Sequence, residues 1–597
     1  MARSLANHRW SWVLPIALSS LFACSSDPEA GAGGAAGAGG AAGAGGVSAF
    51  ECDNPEFELN TDYSENLGGS SSGPSAPAVD LGNPAFSEVV GGRLYTLSRD
   101  GGFSVLDVGG NQAGLNGRLA TYGLPRGMSI RGSLVVAAFA DFQPLELDAL
   151  GEVVARVSRV LTIDVSDPTT PQIQEETRFA GRALDAFALG DRLYVTSLGE
   201  CSSCGDGLGV TVRALDLSGT APLSELGQLT LPVVQDAYGW LIPSVLKAGE
   251  SLYTWIRTPN GERSGTLQAL SLNPGGTELS LGASVTANYE LLDSSQLDER
   301  SGVLRVIGQP GALGTISPPL LETFALPLVD GAASLASVPL TALGGPGAVR
   351  FAGDRLYAAS AAAKGSVIAV DLSDPSAPIV GTPMQLDSAP LYLEPRGNEL
   401  WVLGQRSDPA ANMQEVAVYD MTDVSAAVEL DRADFGGESG VLTSALERGG
   451  QPLSFLDGGG TVLVPLERSD LKTAAGCQRN PSGIQLFAWD GQALSIAGFA
   501  AGADAPRAVV PSGSGATVVS PEAVISYDLS DRSAPQTLSG VPLARQVDRT
   551  QVIDGRVLRI GGNARTKSFV LDSSTPGEVS DPFAGGSIGI ESGSHAA

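Results

Sequence analysis

Residues 161–168 read Leu-Thr-Ile-Asp-Val-Ser-Asp-Pro, and residues 370–375 repeat the phrase as Val-Asp-Leu-Ser-Asp-Pro. Each copy begins with β-branched and aliphatic residues, which are typical of a strand, and ends in residues that form turns. In such a turn the aspartate accepts backbone N–H groups, and the proline prevents the strand from continuing. We therefore predict structural turn-forming roles, rather than catalytic or metal-binding ones, for Asp164, Asp167, Pro168, Asp371, Asp374 and Pro375, and for Asp528 and Asp531 in a related copy.

A second element forms the first half of each repeat unit, and the aspartate phrase ends the second half. It is a turn and a short apolar strand, Gly-Asp-Arg-Leu-Tyr at residues 190–194 and 353–357, with variants beginning at Gly92, Gly249 and Gly397. Weaker copies of the aspartate turn occur at Asp107, Asp216, Asp420, Asp490 and Asp572, and two further units near Leu270 and Leu326 keep the strand without the aspartate. About ten units of roughly 50 residues result, and no stretch has a helical period. The pattern predicts an all-β fold, a β-propeller of about 7–10 four-stranded blades.

The aspartate phrase also resembles a known repeat. It is similar to the LVIVD repeat of secreted bacterial β-propellers, whose consensus contains a Val-Asp-x-Ser-Asp-Pro core. Residues 160–171 and 367–378 match that core closely, and residues 528–535 match with Arg532 in place of the first proline. The family is itself largely uncharacterised, so the resemblance implies a propeller on the cell exterior and carries over no catalytic residue.

The start of the chain resembles a bacterial lipoprotein signal. Arg3 and Arg9 form a basic leader, and residues 12–23 form an apolar run that is too short to cross a bilayer. Leu-Phe-Ala-Cys at 21–24 resembles a lipobox, which implies cleavage before Cys24, lipidation of that cysteine and, with Ser25 next, a place at the outer membrane or cell surface. The alternative is an ordinary secretory signal in which the cysteine occurs by chance.

These features give a predicted domain organisation. The signal peptide covers residues 1–23, and the lipidated N-terminus and flexible linker cover 24–78, including the Gly/Ala tract at 31–46. The propeller covers 79–585, and a disordered tail covers 586–597. The lipid would make the membrane one partner of the protein.

Charge and histidine content exclude several functions. The chain has 65 acidic and 36 basic residues, a net charge of −29, which makes nucleic-acid binding very unfavourable. Its two histidines, His8 and His595, lie near the termini, which argues against Ser-His-Asp and Cys-His catalysis and imidazole zinc sites. We predict no catalytic residue, no cofactor and no metal ligand. Calcium would suit so acidic a surface, but without a D-x-D-x-D-G loop no calcium site can be assigned.

The remaining four cysteines are Cys52, Cys201, Cys204 and Cys477. An even number in an exported chain indicates two disulfides, for which three connectivities exist. Cys201 and Cys204 can close on each other, which would leave Cys52 with Cys477. A redox-active C-x-x-C is the alternative, but the strand-to-helix context of such a site is missing.

The connections between strands predict where a ligand would bind. If the strands of a blade are called a to d from the axis outward, the Gly-Asp-Arg-Leu-Tyr element opens strand b and the aspartate phrase closes strand c. The long b–c connections would then share one face, at residues 141–158, 199–209, 309–319, 405–413 and 467–483. Variable loops on a rigid scaffold usually carry binding functions, although unopposed drift in length would give the same pattern.

Two functions remain open. The first is a binding or scaffolding module for a protein or carbohydrate ligand on the long-loop face. The second is an extracytoplasmic hydrolase or lyase that uses channel carboxylates, for which a glycosidase would need a pair about 5–9.5 Å apart. Trp401 and Trp489 are expected to pack between blades, whereas Trp255 could pack in the core or stack on a ligand.

Overall fold

The computed structural model describes residues 86–591, with gaps that fall mainly in connections between strands, and its account of side chains ends at residue 543. The predicted signal peptide, the linker, Cys24 and Cys52 lie outside the described residues. Cys477 lies in a described strand, but its side chain is outside the description.

Nine antiparallel sheets of four strands follow one another along the described chain, and each is one blade with strands a to d in sequence order. Blade 1 consists of Phe86–Val90, Arg93–Ser98, Gly102–Asp107 and Gly114–Leu119. Blade 2 consists of Leu124–Arg131, Leu134–Ala140, Val157–Asp164 and Gln172–Ala180. Blade 3 consists of Arg182–Leu189, Arg192–Glu200, Leu208–Asp216 and Glu225–Pro232. Blade 4 consists of Ser244–Ala248, Ser251–Arg257, Gly265–Leu272 and Leu279–Ala287.

The later blades contain interrupted strands. Blade 5 consists of Tyr289–Glu290 with Leu297–Arg300 as strand a, then Val303–Pro310, Leu320–Ala325 and Ala336–Pro339. Blade 6 consists of Pro346–Ala352, Arg355–Ser360, Ser366–Asp371 and Ile379–Val380 with Met384–Gln385 as strand d. Blade 7 consists of Ala389–Arg396, Glu399–Gln405, Gln414–Asp420 and Val428–Phe435. Blade 8 consists of Gly440–Val441 with Ser454–Leu456 as strand a, then Thr461–Arg468, Gly483–Trp489 and Leu494–Ala501. Blade 9 consists of Ala508–Ser512, Gly515–Val519, Ala523–Asp528 and Gln536–Pro542.

Short elements lie between these strands. Three two-stranded hairpins are inserted at Glu146–Leu147 with Val153–Ala155, Val234–Asp236 with Gly239–Leu241, and Leu471–Thr473 with Gly476–Gln478. The described helical segments are the α-helical turn Thr443–Leu446 and the 3₁₀ turns Ser294–Gln296, Val424–Ala426 and Asp457–Gly459. None of the helices in this part of the chain is long and apolar enough to span a membrane.

The blades pack face to face around an axis. Nine apolar clusters occupy the interfaces of the described blades, one between each pair of neighbours, so the core is divided around the ring. The strands a of neighbouring blades approach one another most closely, which places them toward the axis. The small and β-branched residues that fill strands b and c suit this arrangement because both faces of those strands are covered.

The ring closes between blade 1 and blade 9. Leu94 and Leu106 of blade 1 share an apolar cluster with Val519 and Val524 of blade 9. The prediction of an all-β propeller with four-stranded blades is therefore confirmed, with nine blades in the ring. The tenth repeat unit forms a separate four-stranded sheet of Val547–Ile553, Arg556–Gly561, Thr566–Leu571 and Gly586–Glu591, whose last strand lies in the segment predicted as a tail.

Candidate functional site

The two faces of the ring differ in their connections. Because the strands of each blade alternate in direction, the a–b and c–d turns lie on one face, called here the turn face. The b–c connections and the links between blades lie on the other, the long-loop face. The five long connections predicted from sequence, within residues 141–158, 199–209, 309–319, 405–413 and 467–483, all join strand b to strand c and all belong to the long-loop face.

On the turn face, the repeat aspartates bind their own turns. Asp164 accepts a hydrogen bond from the amide of Ser166 over 2.8 Å, and Asp167 accepts one from the amide of Thr169 over 2.9 Å. Equivalent bonds of 2.8–3.0 Å join Asp371 to Ser373, Asp374 to Ser376, Asp528 to Ser530 and Asp531 to Ser533. Pro168 and Pro375 each follow the second aspartate of the phrase, where the chain turns between strands c and d.

These hydrogen bonds also affect protonation. The bonds to Ser166 lower the pKa of the Asp164 carboxyl, and the bonds to Thr169, first from its side chain, lower the pKa of Asp167. The pKa of Asp374 is lowered in the same way by Ser376. The oxygen that each carboxylate turns toward its own backbone is occupied by these bonds, which is the arrangement of a turn former.

Arginines of the turn face link successive blades. Arg396, at the end of strand a in blade 7, donates to the carbonyl of Gly458 in blade 8 over 3.0 Å. Arg300 of blade 5 donates to Asp354 of blade 6 over 2.6 Å, and Arg131 of blade 2 donates to the carbonyl of Gly190 in blade 3. The polar groups of the turn face thus serve to hold the ring together.

A disulfide stabilises one connection of the long-loop face. Cys201 and Cys204 are joined by a disulfide in the b–c connection of blade 3. The amide of Cys201 donates to the carbonyl of Gly207 over 2.9 Å, so the loop closes at its base. The predicted pairing of Cys52 with Cys477 involves side chains outside the described residues.

An aromatic stack underlies the long-loop face between blades 4 and 5. Trp255 of blade 4 and Tyr289 of blade 5 stack with ring centroids 6.3 Å apart and an angle of 8°. Both rings are buried, and Trp255 therefore belongs to the core. Glycines make room for them, because a Cβ on Gly265 would lie 2.7 Å from the Trp255 ring and one on Gly308 would lie 2.2 Å from the Tyr289 ring.

Two arginines and one glutamate lie above this stack. Arg257 follows Trp255 by two residues in the same strand, so it faces blade 5, and its Nη1 lies 3.5 Å from Oε1 of Glu290. Nε of Arg263, from the b–c connection of blade 4, lies 3.2 Å from Oε2 of Glu290. We call Arg257 and Arg263, with Glu290, the arginine pair. Its two cations share one carboxylate, so it carries a net positive charge in a strongly acidic protein.

Hydrogen bonds between neighbouring loops fix the arginine pair. The amide of Arg263 donates to the carbonyl of Gly311 over 2.8 Å, and its Nη1 donates to the carbonyl of Thr315 over 2.7 Å. Arg257 is less fully bonded. Its Nε and Nη2 are buried, and neither has a hydrogen-bond partner among the residues that the structure describes.

A second charged cluster lies between blades 6 and 7. It consists of Lys364, Asp387, Arg406, Glu415, Arg432 and Asp434 and is called here the blade 6–7 cluster. Oε2 of Glu415 lies 3.7 Å from Arg432 and 4.0 Å from Arg406, and its Oε1 accepts a hydrogen bond from Ser388 over 2.9 Å. Arg406 also donates to Asp434.

Glu415 is the most enclosed carboxyl of this cluster. Its side chain is 0% exposed, and burial raises its pKa above the usual value, although Ser388 and Arg432 act in the opposite direction. Within the described part of the chain, Oε2 of Glu415 and Oδ1 of Asp434 are buried without a hydrogen-bond partner. Unsatisfied buried acceptors cost about 1–3 kcal/mol each, so this cluster would be stabilised by a hydrogen-bond donor.

Sequence reasoning did not identify either cluster. The arginine pair combines residues of two blades, and the blade 6–7 cluster combines three connections and two strands, so neither forms a local motif. One feature of the sequence pointed to the arginine pair. Trp255 and Arg257 are two residues apart at the end of a strand, so their side chains share one face of the blade next to a loop. Among the described residues, no group of three or more His, Cys, Asp or Glu side chains is arranged to hold a metal ion.

One comparison with known proteins supports the fold. A sequence-family model described as "Beta propeller domain" matches residues 210–498. The fold is a β-propeller. Among curated proteins, no sequence matches this chain.

Several solved structures are similar at low identity. A putative 6-phosphogluconolactonase from Bacteroides uniformis is 14% identical, with a TM-score of 0.31, over 59% of this chain and 98% of that one. The periplasmic gluconolactonase of Pseudomonas aeruginosa is 15% identical, with a TM-score of 0.31, over 59% of this chain and 97% of that one. A structure from a study of two prolyl endopeptidases is 11% identical, with a TM-score of 0.36, over 68% of this chain and 55% of that one. The activities in these names belong to those proteins.

Proposed function

We propose that this propeller is a lipid-anchored binding module of the outer membrane or cell surface, which holds a protein or glycan partner on its long-loop face. One contrast between the faces carries the proposal. The repeat aspartates and the arginines described on the turn face bind their own turns or the next blade, whereas the long-loop face holds two charged clusters with buried groups that lack hydrogen-bond partners among the described residues. Exposed members of the blade 6–7 cluster, Lys364 and Asp387, can contact a ligand directly at this face.

The anchor rests on the sequence at residues 21–24 and on the spacer that follows it. Lipid chains on Cys24 would hold the protein at a membrane, and the Gly/Ala tract at 31–46 would let the propeller move away from that surface. Cys24→Ala tests this point, because the variant should leave the membrane fraction and appear in the soluble extract. If it still sediments with membranes, lipid does not hold the protein there.

The arrangement of the carboxyls supports binding rather than hydrolysis. Burial raises the pKa of Glu88 and of Glu415, but these residues belong to blades 1 and 7, so they do not form a pair across one substrate bond. A general acid must also reach its substrate, and the Glu415 side chain has no exposed surface.

A cross-linked pull-down from intact cells tests the binding role with the full chain as bait. The loop-face variant replaces Lys364, Asp387 and Ile316 by serine, and their side chains or residues are 77%, 54% and 70% exposed. The control replaces Asp191, Val428 and Ile379 of the turn face and outer edge by serine, which are 76%, 57% and 59% exposed. The loop-face variant should lose the partner and the control should keep it. The reverse result, or equal recovery, would reject the proposal.

A further inference from the structure

The arginine pair between blades 4 and 5 has an unused hydrogen-bonding edge. Arg257 pairs with Glu290 through Nη1, which leaves Nε and Nη2 on the other side of the guanidinium. These two nitrogens point their N–H groups in parallel, and this edge fits two oxygens of a carboxylate or phosphate. Within the described residues, no protein group accepts from either nitrogen.

The surroundings favour an anion at this edge. Arg257 and Arg263 share the one carboxylate of Glu290, so the group retains a positive charge. The protein carries a net charge of −29, so the positive charge of the arginine pair on the long-loop face is opposite in sign to that of the protein as a whole. The side chains of Arg257 and Arg263 are 19% and 11% exposed, so the pair lies close to solvent, but Nε and Nη2 of Arg257 are themselves buried. An anion therefore reaches this edge only when neighbouring side chains move aside.

The site is also held in place before any ligand arrives. The Trp255–Tyr289 stack packs the same blade interface, and the bonds from Arg263 to Gly311 and Thr315 fix the second arginine. Because a preorganised pair loses little side-chain conformational entropy on binding, its affinity for a small anion is higher than that of two mobile arginines.

We propose that Arg257 and Arg263 form an oxyanion-binding site, which recognises a carboxylate or phosphate group carried by the ligand of the long-loop face. The inference deepens the proposed function by assigning a chemical class to part of that ligand. Glu290 acts as an internal competitor, because it already occupies one edge of each guanidinium.

Titration calorimetry on the full chain tests this site with two probes, inorganic phosphate and glucuronate, and with glucose as the uncharged analogue of glucuronate. We expect saturable binding of at least one anion and none of glucose. Binding of glucuronate alone assigns a carboxylate, binding of phosphate alone assigns a phosphate, and binding of both assigns an oxyanion in general. If neither anion binds, the proposal is overturned.

Substitutions separate recognition from folding. Arg257→Lys keeps the positive charge beside Glu290 but lacks the two-nitrogen edge, and it should weaken anion binding about tenfold, as expected for one lost charge-assisted hydrogen bond. Glu290→Gln removes the competitor and should strengthen binding. Arg300→Gln, on the turn face, is the matched control and should leave binding unchanged.

The opposite results would contradict the site. If Arg257→Lys binds as tightly as the unaltered protein, or if Glu290→Gln weakens binding as Arg257→Lys does, the pair is a structural ion pair only. Thermal unfolding of each variant shows whether it is folded. Anion binding without a partner in the pull-down would reject the partner role and keep this site, and the reverse outcome would reject this site alone.

Discussion

The backbone amide of Ala113 in blade 1 donates a hydrogen bond to Oγ of Ser526 in blade 9, over 2.9 Å. The carbonyl of the same alanine accepts a hydrogen bond from Ser539 over 3.2 Å, so both backbone groups of Ala113 are satisfied by blade 9. Residues 413 positions apart in sequence are thus joined at the point where the ring closes. Each of the nine blades consists of strands that are consecutive in sequence, so no strand from one end of the chain completes a blade at the other end. The ring is therefore closed by these hydrogen bonds and by the apolar cluster that contains Leu94 and Val519.

Loss of the Ser526 hydroxyl should weaken this closure. Ser526→Ala leaves the buried amide of Ala113 without an acceptor and removes the bond to Thr517, and the expected cost is about 1–3 kcal/mol of unfolding free energy. Urea unfolding measures the change, and Ser280→Ala on the exposed outer strand of blade 4 is the control. An unchanged midpoint for Ser526→Ala would show that the ring closes by other contacts.

Glu399 joins two tryptophans of neighbouring blades. Its carboxylate accepts hydrogen bonds from Nε1 of Trp401 over 3.0 Å and from Nε1 of Trp489 over 3.1 Å. Glu399→Ala should lower the unfolding free energy by about 1–3 kcal/mol for each buried indole N–H left unsatisfied. Glu250→Ala, in an exposed a–b turn, should have almost no effect. Equal midpoints for the two variants in urea would mean that the carboxylate contributes nothing to the blade interface.

The pKa values of the turn aspartates should make the stability of the protein depend on pH in the acid range. Bonds to their own turns hold the pKa values of Asp164, Asp167 and Asp374 below the ordinary 3.8. Their stabilisation is therefore fully present above that value and is lost as pH falls through the lower folded-state pKa. Asparagine keeps an acceptor oxygen but does not titrate. When the pH is lowered from 5 to 2, the melting temperature of the variant with all three aspartates replaced by asparagine should therefore fall less than that of the unaltered protein.

The control for this comparison is Glu250→Gln, which removes one exposed carboxyl outside the repeat turns. It should follow the unaltered protein across the same range of pH. If the triple variant also follows it, the aspartate turns do not contribute to the acid dependence.

The predicted disulfides can be tested by peptide mapping. Digestion without reduction should recover Cys201 linked to Cys204, as in the b–c connection of blade 3, and Cys52 linked to Cys477. Replacing both Cys201 and Cys204 by serine should cost about 2 kcal/mol at most, because the ring that the disulfide closes is short. A free thiol at Cys52 or Cys477 would reject the second pairing.

The positions of strands b and c could be predicted because the repeat marks their ends locally. Blade 4 lacks the aspartate, yet Asn273 replaces it and accepts the amide of Thr277 over 2.9 Å, so the turn is kept by a related side chain. Units without the motif were therefore recognisable from their strands.

The number of blades in the ring and the charged clusters could not be predicted. Each repeat unit is locally alike, and only contacts across the closure, such as the packing between Leu94 and Val519, show that the ninth blade meets the first. Arg257 and Glu290 lie in different blades, and they meet across the interface that the stack of Trp255 and Tyr289 also spans. Such contacts follow from the closed geometry and not from spacing in sequence.

Photo-cross-linking in intact cells tests the central claim most directly. A photoreactive residue is placed in the full chain at Ile316, in the b–c connection of blade 5, or at Ile379, at the start of the outer strand of blade 6, and both are well exposed. We predict that position 316 becomes covalently joined to a discrete partner and that position 379 does not. A partner joined only through position 379, or equally through both, would contradict a binding surface on the long-loop face.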